Sequence, residues 1–179
     1  MSSSLKNNEI PAVELSNDLK KKKIGIVVSE WHKEITTKLL DGSLAYLKKA
    51  GIDGDNIITE WVPGTFELAL GGQYLTEYAS TDAIICLGCI IKGETSHNHY
   101  LAESAAMNIN LLSLKSNHPF AFGVLTVDTL EQANERSGGK AGNKGEEAAH
   151  AAISMLALKE KIKTGKSQSK GKIGFGFSA

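Results

Sequence analysis

The amino-acid sequence predicts an α/β protein, a three-layer α/β/α sandwich built on a four-stranded parallel sheet. Strand-like apolar runs alternate four times with segments of helical apolar spacing. Such alternation is typical of a parallel sheet that carries helices on both faces. The runs IGIVVS and AIICLGCII are almost continuously apolar, as expected of strands that are buried on both faces.

The first half of the pattern follows a basic block, Lys20–Lys23, and contains two strand–helix pairs. In the first predicted helix, leucine and isoleucine recur at helical spacing, and Gly51 ends it. Pro63 and Gly64 turn the chain after the second strand, and Thr65 is the predicted N-cap of the second helix. The predicted elements are strand 24–30, helix 33–50, strand 56–62 and helix 66–79.

The second half contains the longest apolar strand and three helices. Thr95 and Ser96 open a long helix, and the dipeptide His118-Pro119 ends it. Thr129 and Gln132 match a capping box, which starts a short helix. The predicted elements are strand 82–91, helix 97–115, strand 121–127, a short helix ending near 137–139, and helix 146–162.

These elements form one predicted domain, residues 18–163, between an N-terminal arm (1–17) and a basic C-terminal tail (164–179). The tail has too few anchoring residues to pack, and we expect it to be mobile. Val13 and Leu15 alternate with polar residues in the arm. The arm either adds an edge strand to a neighbouring subunit or is loose, and the sequence leaves both open.

Composition disfavours several classes of protein. Of the 179 residues, 41% are hydrophobic and 22% are charged, as in ordinary soluble globular proteins. No apolar run approaches the roughly 18 residues of a membrane helix, and the N-terminus has no apolar secretory segment. We therefore expect a cytoplasmic protein without membrane contact. The basic stretches lack interleaved aromatic residues, so nucleic-acid binding is not expected.

The two cysteines form a CxxC motif, Cys86-Leu-Gly-Cys89, inside the third predicted strand. A redox centre is one interpretation of this motif. In an extended strand, however, the two side chains point to opposite faces and cannot readily form a disulfide. A zinc site would need further ligands at matching spacing, and the sequence has no second CxxC. The pattern favours two buried thiols.

Ligands of open α/β sheets bind beyond the carboxyl ends of the strands. Four segments with aromatic, hydroxyl and charged residues follow the predicted strands and meet at that edge. Such a composition is typical of a site rather than of a core. The segments are Glu30–His32, Pro63–Glu67, Lys92–His97 and Thr126–Thr129.

Two histidines follow the third strand. His97 and His99 are two residues apart and lie on different sides of a helix, whereas helical zinc ligands stand three or four apart. A metal site is therefore disfavoured. Gly93 and Thr95 precede the helix, where backbone N–H groups could hold a phosphate, although a simple helix cap also fits. His97, beside them, could transfer protons near neutral pH.

Three other residues have two interpretations each. Trp31 either packs at the rim or stacks on a planar ring. Glu67 either complements a helix dipole or accepts hydrogen bonds from the hydroxyls of a polyol. Arg136 either interacts with the end of its helix or grips a phosphate through two hydrogen bonds.

Four motifs in this order resemble the 6,7-dimethyl-8-ribityllumazine synthase family over residues 18–160: VPGTFE, GCIIKGETSHNHY, FGVLTVDTLEQANERSG and GNKGEEAA. The resemblance implies a flavodoxin-like sheet and the penultimate reaction of riboflavin biosynthesis. In it, 5-amino-6-(D-ribitylamino)uracil condenses with 3,4-dihydroxy-2-butanone 4-phosphate, and phosphate and water are released. Neither a metal nor an organic cofactor is implied. Two alternatives are a non-catalytic cage that binds lumazine or flavin, and a flavodoxin-like phosphate or FMN protein.

The resemblance also implies roles for individual residues. His97 transfers protons. Glu94, Thr95 and Arg136 bind the phosphate of the butanone substrate. The ribitylaminouracil contacts are Trp31, Thr65, Phe66, Glu67, Cys89, Ile90, Ile91, Phe122 and Lys144, with Phe122 supplied by an adjacent subunit.

Members of the family form pentamers, and many build icosahedral shells of twelve pentamers. The short segment SGGKA, residues 137–141, has the length that accompanies shells, so a shell is expected, with riboflavin synthase as a further partner. His32, Lys92, Asn98 and His99 depart from the usual family pattern. Their effect on the site stays open.

Overall fold

The fold is that of a computed structural model, which describes residues 10, 13 and 15–165. Its main sheet has four parallel strands in the order β2-β1-β3-β4. The strands are β1 (Ile24–Ser29), β2 (Ile57–Val62), β3 (Ala83–Ile91) and β4 (Phe120–Val127). The predicted parallel sheet is thus confirmed.

Six α-helices accompany the sheet among the described residues. They are α1 (Asn17–Lys20), α2 (Lys33–Lys49), α3 (Leu68–Tyr78), α4 (His97–Ser116), α5 (Leu130–Arg136) and α6 (Lys144–Lys163). Buried residues of α1, α2, α5 and α6 form one core with the sheet. Those of α3 and α4 form a second core. Helices therefore cover both faces, which confirms the three-layer arrangement.

Strand β3 divides its side chains between the two cores with the period of two that a strand imposes. Leu87 and Cys89 belong to the core of α2 and α6, and Cys86 and Ile90 belong to the core of α3 and α4. Both cysteines are buried and free. The prediction that they point to opposite faces is confirmed, and a disulfide between them is excluded by this geometry.

The prediction that Thr65 caps the second helix is wrong. Residues Thr65–Glu67 form a 3-10 helix, and α3 begins only at Leu68. The Thr65 side chain is buried against β3, where a Cβ atom at Gly88 would lie 2.9 Å from its Oγ1. Because Gly88 has no side chain, Thr65 packs on the strand instead of turning back to cap the helix.

The junction between α5 and α6 contains a hairpin that was not predicted. Strand β5 (Ser137–Gly139) pairs antiparallel with β6 (Gly142–Asn143). Gly138 and Gly142 have φ angles of 125° and 80°, a region that favours glycine. The Asn143 side chain accepts hydrogen bonds from the first-turn amides of α6. This cap starts α6 two residues before the predicted position.

The predicted capping box of α5 is present in part. Thr129 Oγ1 accepts a hydrogen bond from Gln132 N at 3.2 Å, and the Gln132 side chain accepts one from Asp128 N at 2.9 Å. In a complete capping box the Gln132 side chain would accept from the N–H of the N-cap residue, Thr129. Here it accepts from the N–H of the preceding residue, Asp128. It still orders the turn that follows β4.

The described part of the arm contacts its own subunit. Ile10, Val13 and Leu15 pack against the core of α2 and α6, and Val13 N donates to Tyr46 Oη at 3.4 Å. The addition of an arm strand to a neighbour stays a prediction. Most of the tail, residues 166–179, lies outside the described residues. Of the helices in the described ranges, none has the length and apolar character needed to cross a membrane.

Candidate active site

A cleft of about 460 Å³ lies at the carboxyl ends of the strands, at the edge where the sequence predicts a site. It is enclosed by the loops that follow β1, β2 and β3. Its lining combines aromatic, hydroxyl and imidazole side chains with the end of a strand. The lining residues are Trp31, His32, Gly64, Thr65, Phe66, Cys89, Ile90, Ile91, Gly93, Thr95, His97, Asn98 and Leu101.

Two aromatic side chains stand at the mouth of the cleft. Trp31 follows β1 and is 68% exposed, and Phe66, in the 3-10 helix after β2, is 63% exposed. Exposed aromatic faces of this kind offer stacking surfaces to a planar ligand. Glu67 lies at the margin, since a Cβ atom at the lining residue Gly64 would lie 3.1 Å from Glu67 Oε2.

The floor of the cleft is the end of β3. Pairing between β1 and β3 ends at Val28 and Leu87, whereas β3 continues to Ile91 beside β4. Residues Gly88–Ile91 therefore no longer pair with β1. Strand edges of this kind carry unpaired N–H and C=O groups, and a ligand can form hydrogen bonds with them.

The third wall is the start of α4. His97 is the first residue of this helix, and its N–H donates to Thr95 Oγ1 at 3.4 Å. A Cβ atom added at Gly93 would meet no atom within 4 Å, so the approach to the helix start is open. His97 lines the cleft and His99 does not, as their spacing predicts.

Two lining residues lay outside both the predicted site segments and the residues that the resemblance implicates: Asn98 and Leu101. Asn98 was noted only as a departure from the family pattern. Leu101 stands four residues after His97 and so lies on the same face of α4, a signal that was available in the sequence. Among the described residues, no group of three or more His, Cys, Asp or Glu side chains is placed to hold a metal ion.

Comparison with known proteins agrees with this geometry. Residues 21–160 match the family model for 6,7-dimethyl-8-ribityllumazine synthase. A protein of that name from Cytophaga hutchinsonii is 50% identical over 157 residues, which are 88% of this chain and 98% of that protein. Those from Parabacteroides distasonis and Porphyromonas gingivalis are 46% and 42% identical, over 78% and 86% of this chain and 87% and 94% of their own lengths.

The chain belongs to the 6,7-dimethyl-8-ribityllumazine synthase family. It is therefore an enzyme, a transferase of riboflavin biosynthesis that forms 6,7-dimethyl-8-ribityllumazine. The family match covers the whole sheet and all the lining residues of the cleft.

Five residues that the family resemblance implicates do not line the cleft within one chain. One is Glu67, which lies at its margin, and the other four lie farther along the chain. Glu94 is exposed in the loop before α4. Arg136, at the end of α5, donates from Nη1 to the Gln132 carbonyl at 3.3 Å. Lys144 begins α6 and forms an ion pair with Glu147 at 2.7 Å. Phe122 projects from β4 and is 44% exposed.

Phe122 belongs to a second concavity, which we call the β4 groove. Its volume is about 620 Å³, and it lies between the end of α4, the edge strand β4, and α6. Leu114, Met155 and Ile162, which line it, are 73%, 52% and 61% exposed. Its other lining residues are Ser113, Asn117, His118, Pro119, Phe120, Ala121, Ala151, Ala152, Leu158, Lys159 and Lys163.

Proposed function

We propose that the cleft of His97 is the place where 5-amino-6-(D-ribitylamino)uracil condenses with 3,4-dihydroxy-2-butanone 4-phosphate. The observation that carries this proposal is that three elements meet in one cleft. These are the aromatic faces of Trp31 and Phe66, the end of β3 that pairs with β4 but not with β1, and His97 at the start of α4. Each element suits a different part of the reaction.

The pyrimidine substrate lies against Trp31 and the end of β3. The indole stacks on the ring, while main-chain groups of Cys89, Ile90 and Ile91 form hydrogen bonds with the polar edge of the ring. The Cys89 residue is buried and packs in the core of α2 and α6, so we assign the substrate contact to its main-chain groups rather than to its thiol. The ribityl chain runs along Thr65, Phe66 and Glu67. The Glu67 carboxylate accepts hydrogen bonds from its hydroxyls.

His97 transfers the protons of the reaction. An amine of the pyrimidine attacks the ketone carbon, and the resulting carbinolamine loses water to give an imine. A proton then leaves the neighbouring carbon and inorganic phosphate is eliminated from the next one. The enol that results becomes a ketone, the second amine attacks the ketone carbon, and loss of a second water closes the ring. Every step requires a positioned group that takes and returns protons, which suits a histidine at neutral pH. Holding the two substrates together contributes the rest of the acceleration.

The phosphate of the butanone substrate binds at the loop before α4. Thr95 offers a hydroxyl group there, and the N–H groups of the first turn of α4 favour an anion. Glu94 belongs to the same loop. Arg136 supplies the positive charge, and its guanidinium can bind a phosphate through two hydrogen bonds.

The complete site forms between subunits of a homopentamer. Phe122 reaches the cleft of an adjacent subunit, and the same origin for Arg136 and Lys144 accounts for their positions outside the cleft of their own chain. The exposed apolar side chains of the β4 groove support a subunit contact there. The short hairpin of β5 and β6 suits twelve such pentamers in a shell. Light scattering tests the shell, and the mass of a single pentamer would contradict it.

The proposal also covers organisation and location. A catalytic domain, residues 18–163, carries an N-terminal arm (1–17) and a basic tail (164–179) that we propose is flexible. Because both substrates are polar and one is phosphorylated, we place the reaction in the cytoplasm. A riboflavin synthase that consumes the product is the proposed partner.

The direct test is to mix both substrates with the purified chain and to follow the absorbance and fluorescence of the lumazine product. Formation that scales with the concentration of the chain is the expected result. If the rate equals that of the substrates alone while lumazine still binds, the chain is a non-catalytic cage or binder on the same scaffold.

A further inference from the structure

Trp31 is the most exposed aromatic side chain of the cleft, at 68%. An indole that rotates freely must lose that freedom before it stacks on a ligand, and the loss weakens binding. A neighbouring group that holds the indole before the ligand arrives would remove part of this penalty. The structure places one such group beside it.

His32 follows Trp31 directly, yet both residues line the same cleft. Successive side chains of an extended strand point to opposite sides. The backbone of His32 instead adopts a left-handed conformation, with φ 59° and ψ 47°. Its carbonyl accepts hydrogen bonds from the N–H groups of Ile35 at 2.8 Å and Thr36 at 3.1 Å. The first turn of α2 therefore fixes the direction in which the imidazole leaves the backbone.

The imidazole meets the indole edge to face. The two ring centroids are 6.2 Å apart and the ring planes meet at 82°, an arrangement that aromatic pairs favour. Although His32 is the N-cap residue of α2, its side chain makes no capping hydrogen bond. Within the described ranges no hydrogen bond of the imidazole is found, and the ring pair with Trp31 is the specific contact that the structure shows for it.

We propose that His32 is a positioning residue, which holds the indole of Trp31 in the orientation that stacks on the pyrimidine ring. The inference rests on the proposed function, because it takes ribitylaminouracil as the ligand of the cleft. It assigns His32 a role in ground-state binding of that substrate and none in proton transfer.

Two substitutions separate the ring of His32 from its backbone conformation. His32→Phe keeps an aromatic edge, whereas His32→Asn removes the ring but tolerates the left-handed backbone. We expect His32→Asn to raise the KM for ribitylaminouracil about fivefold and His32→Phe to change it less than about twofold. In both variants kcat and the KM for the butanone phosphate stay unchanged.

His99→Asn is the matched control. His99 forms a comparable ring pair with Tyr100, at 6.1 Å and 58°, but neither residue lines the cleft. The same substitution there should leave both KM values unchanged. A rise in the KM for ribitylaminouracil equal to that of His32→Asn would contradict a specific role for His32.

A spectroscopic measurement tests the contact without substrate. The chain has two tryptophans, so a Trp61→Phe background leaves Trp31 as the sole indole. Its fluorescence anisotropy should decay with more local motion in His32→Asn than in His32→Phe or the parent. Equal local motion in all three proteins would overturn the proposal.

The kinetic outcomes also decide between alternatives. A fall in kcat with unchanged KM would make His32 a proton-transfer group and overturn the positioning role. Equal losses in His32→Phe and His32→Asn would show that the imidazole nitrogens matter rather than the ring edge, and would also overturn it. If the parent chain forms no lumazine, the proposed function fails, while the anisotropy comparison still tests the contact.

Discussion

The cleft of His97 and the β4 groove lie on the same sheet but differ in chemistry. The cleft combines imidazole, hydroxyl and unpaired main-chain groups with two aromatic faces. The β4 groove is larger, about 620 Å³ against about 460 Å³, and apolar surface predominates in both linings, but the exposed side chains of the groove include the aliphatic Leu114, Met155 and Ile162. It also contains a histidine, but burial and the charge of Lys159 lower the pKa of His118, so this imidazole is neutral at pH 7.

The comparison shows why the cleft, although smaller than the β4 groove, is the proposed catalytic site. Size alone would select the β4 groove, yet its exposed leucine, methionine and isoleucine side chains suit contact with another protein surface. The cleft has the polar groups that orient and protonate a ligand. The following predictions treat the two regions as separable: one for chemistry and one for assembly.

The largest expected effect comes from removing His97, the proposed proton-transfer group of the cleft. His97→Ala should lower kcat on the order of 10²-fold, because general acid–base catalysis contributes this much or more. The KM for ribitylaminouracil should change less than about twofold, and the particle mass in light scattering should not change. His99→Ala, outside the cleft, is the control. Near-normal turnover of His97→Ala would contradict the acid–base assignment.

The next effect comes from placing a charge in the β4 groove. Leu114→Glu alters an exposed side chain of α4, so the subunit should still fold. If a second subunit covers this position, the buried charge weakens the contact by about 2–5 kcal/mol. We expect a smaller particle mass and an activity reduced about tenfold at micromolar subunit concentration.

Lys115→Glu provides the control for that substitution. Lys115 is the next residue of α4 and is also exposed, but it does not line the groove. The control should keep both mass and activity. An assembled and fully active Leu114→Glu protein would show that the β4 groove lies outside the subunit contact.

A smaller effect is expected when subunits of two inactive variants are mixed, and it tests whether one site takes residues from two subunits. His97→Ala subunits lack the acid–base group, and Arg136→Ala subunits lack the proposed phosphate contact, so each assembly alone should be nearly inactive. If each site takes His97 from one subunit and Arg136 from the next, equal mixing after dissociation and reassembly restores about a quarter of the sites. Product formation measures the recovery. No recovery in mixed assemblies of normal mass would place both residues in the site of a single chain.

The sequence was sufficient for the sheet but only partly for the site. Apolar runs and helical spacing predicted β1 to β4 and α2 to α6, because burial on both faces leaves a strong pattern. They misplaced Thr65, since its packing against Gly88 depends on a contact between distant segments. The family resemblance predicted that Phe122 lies outside the cleft of its own chain, whereas the positions of Arg136 and Lys144 outside it were not predicted, because local patterns do not encode how distant segments are arranged around a cleft.

The smallest expected effect concerns the sulfur at the floor of the cleft. Cys89 lines the cleft, but the residue is only 1% exposed and packs in the core beneath the cleft. If the backbone rather than the thiol contacts the substrate, Cys89→Ala should change kcat and KM by less than about twofold. It should lower the free energy of unfolding by about 1 kcal/mol, as a typical single substitution does. Enzyme kinetics and urea denaturation measure the two effects.

The ionisation of the Cys89 thiol gives a second test of whether the backbone rather than the sulfur contacts the substrate. Burial raises the pKa of Cys89 to about 11 from the ordinary 9.0, so the thiol stays protonated and unreactive at neutral pH. Because the folded pKa exceeds the unfolded one, this group does not affect stability below about pH 9, and it destabilises the fold as pH rises through about 11. Cys89→Ala should make that alkaline loss shallower. Rapid alkylation of Cys89 at pH 7.5 that substrate prevents would instead place the sulfur among the groups that contact the ligand.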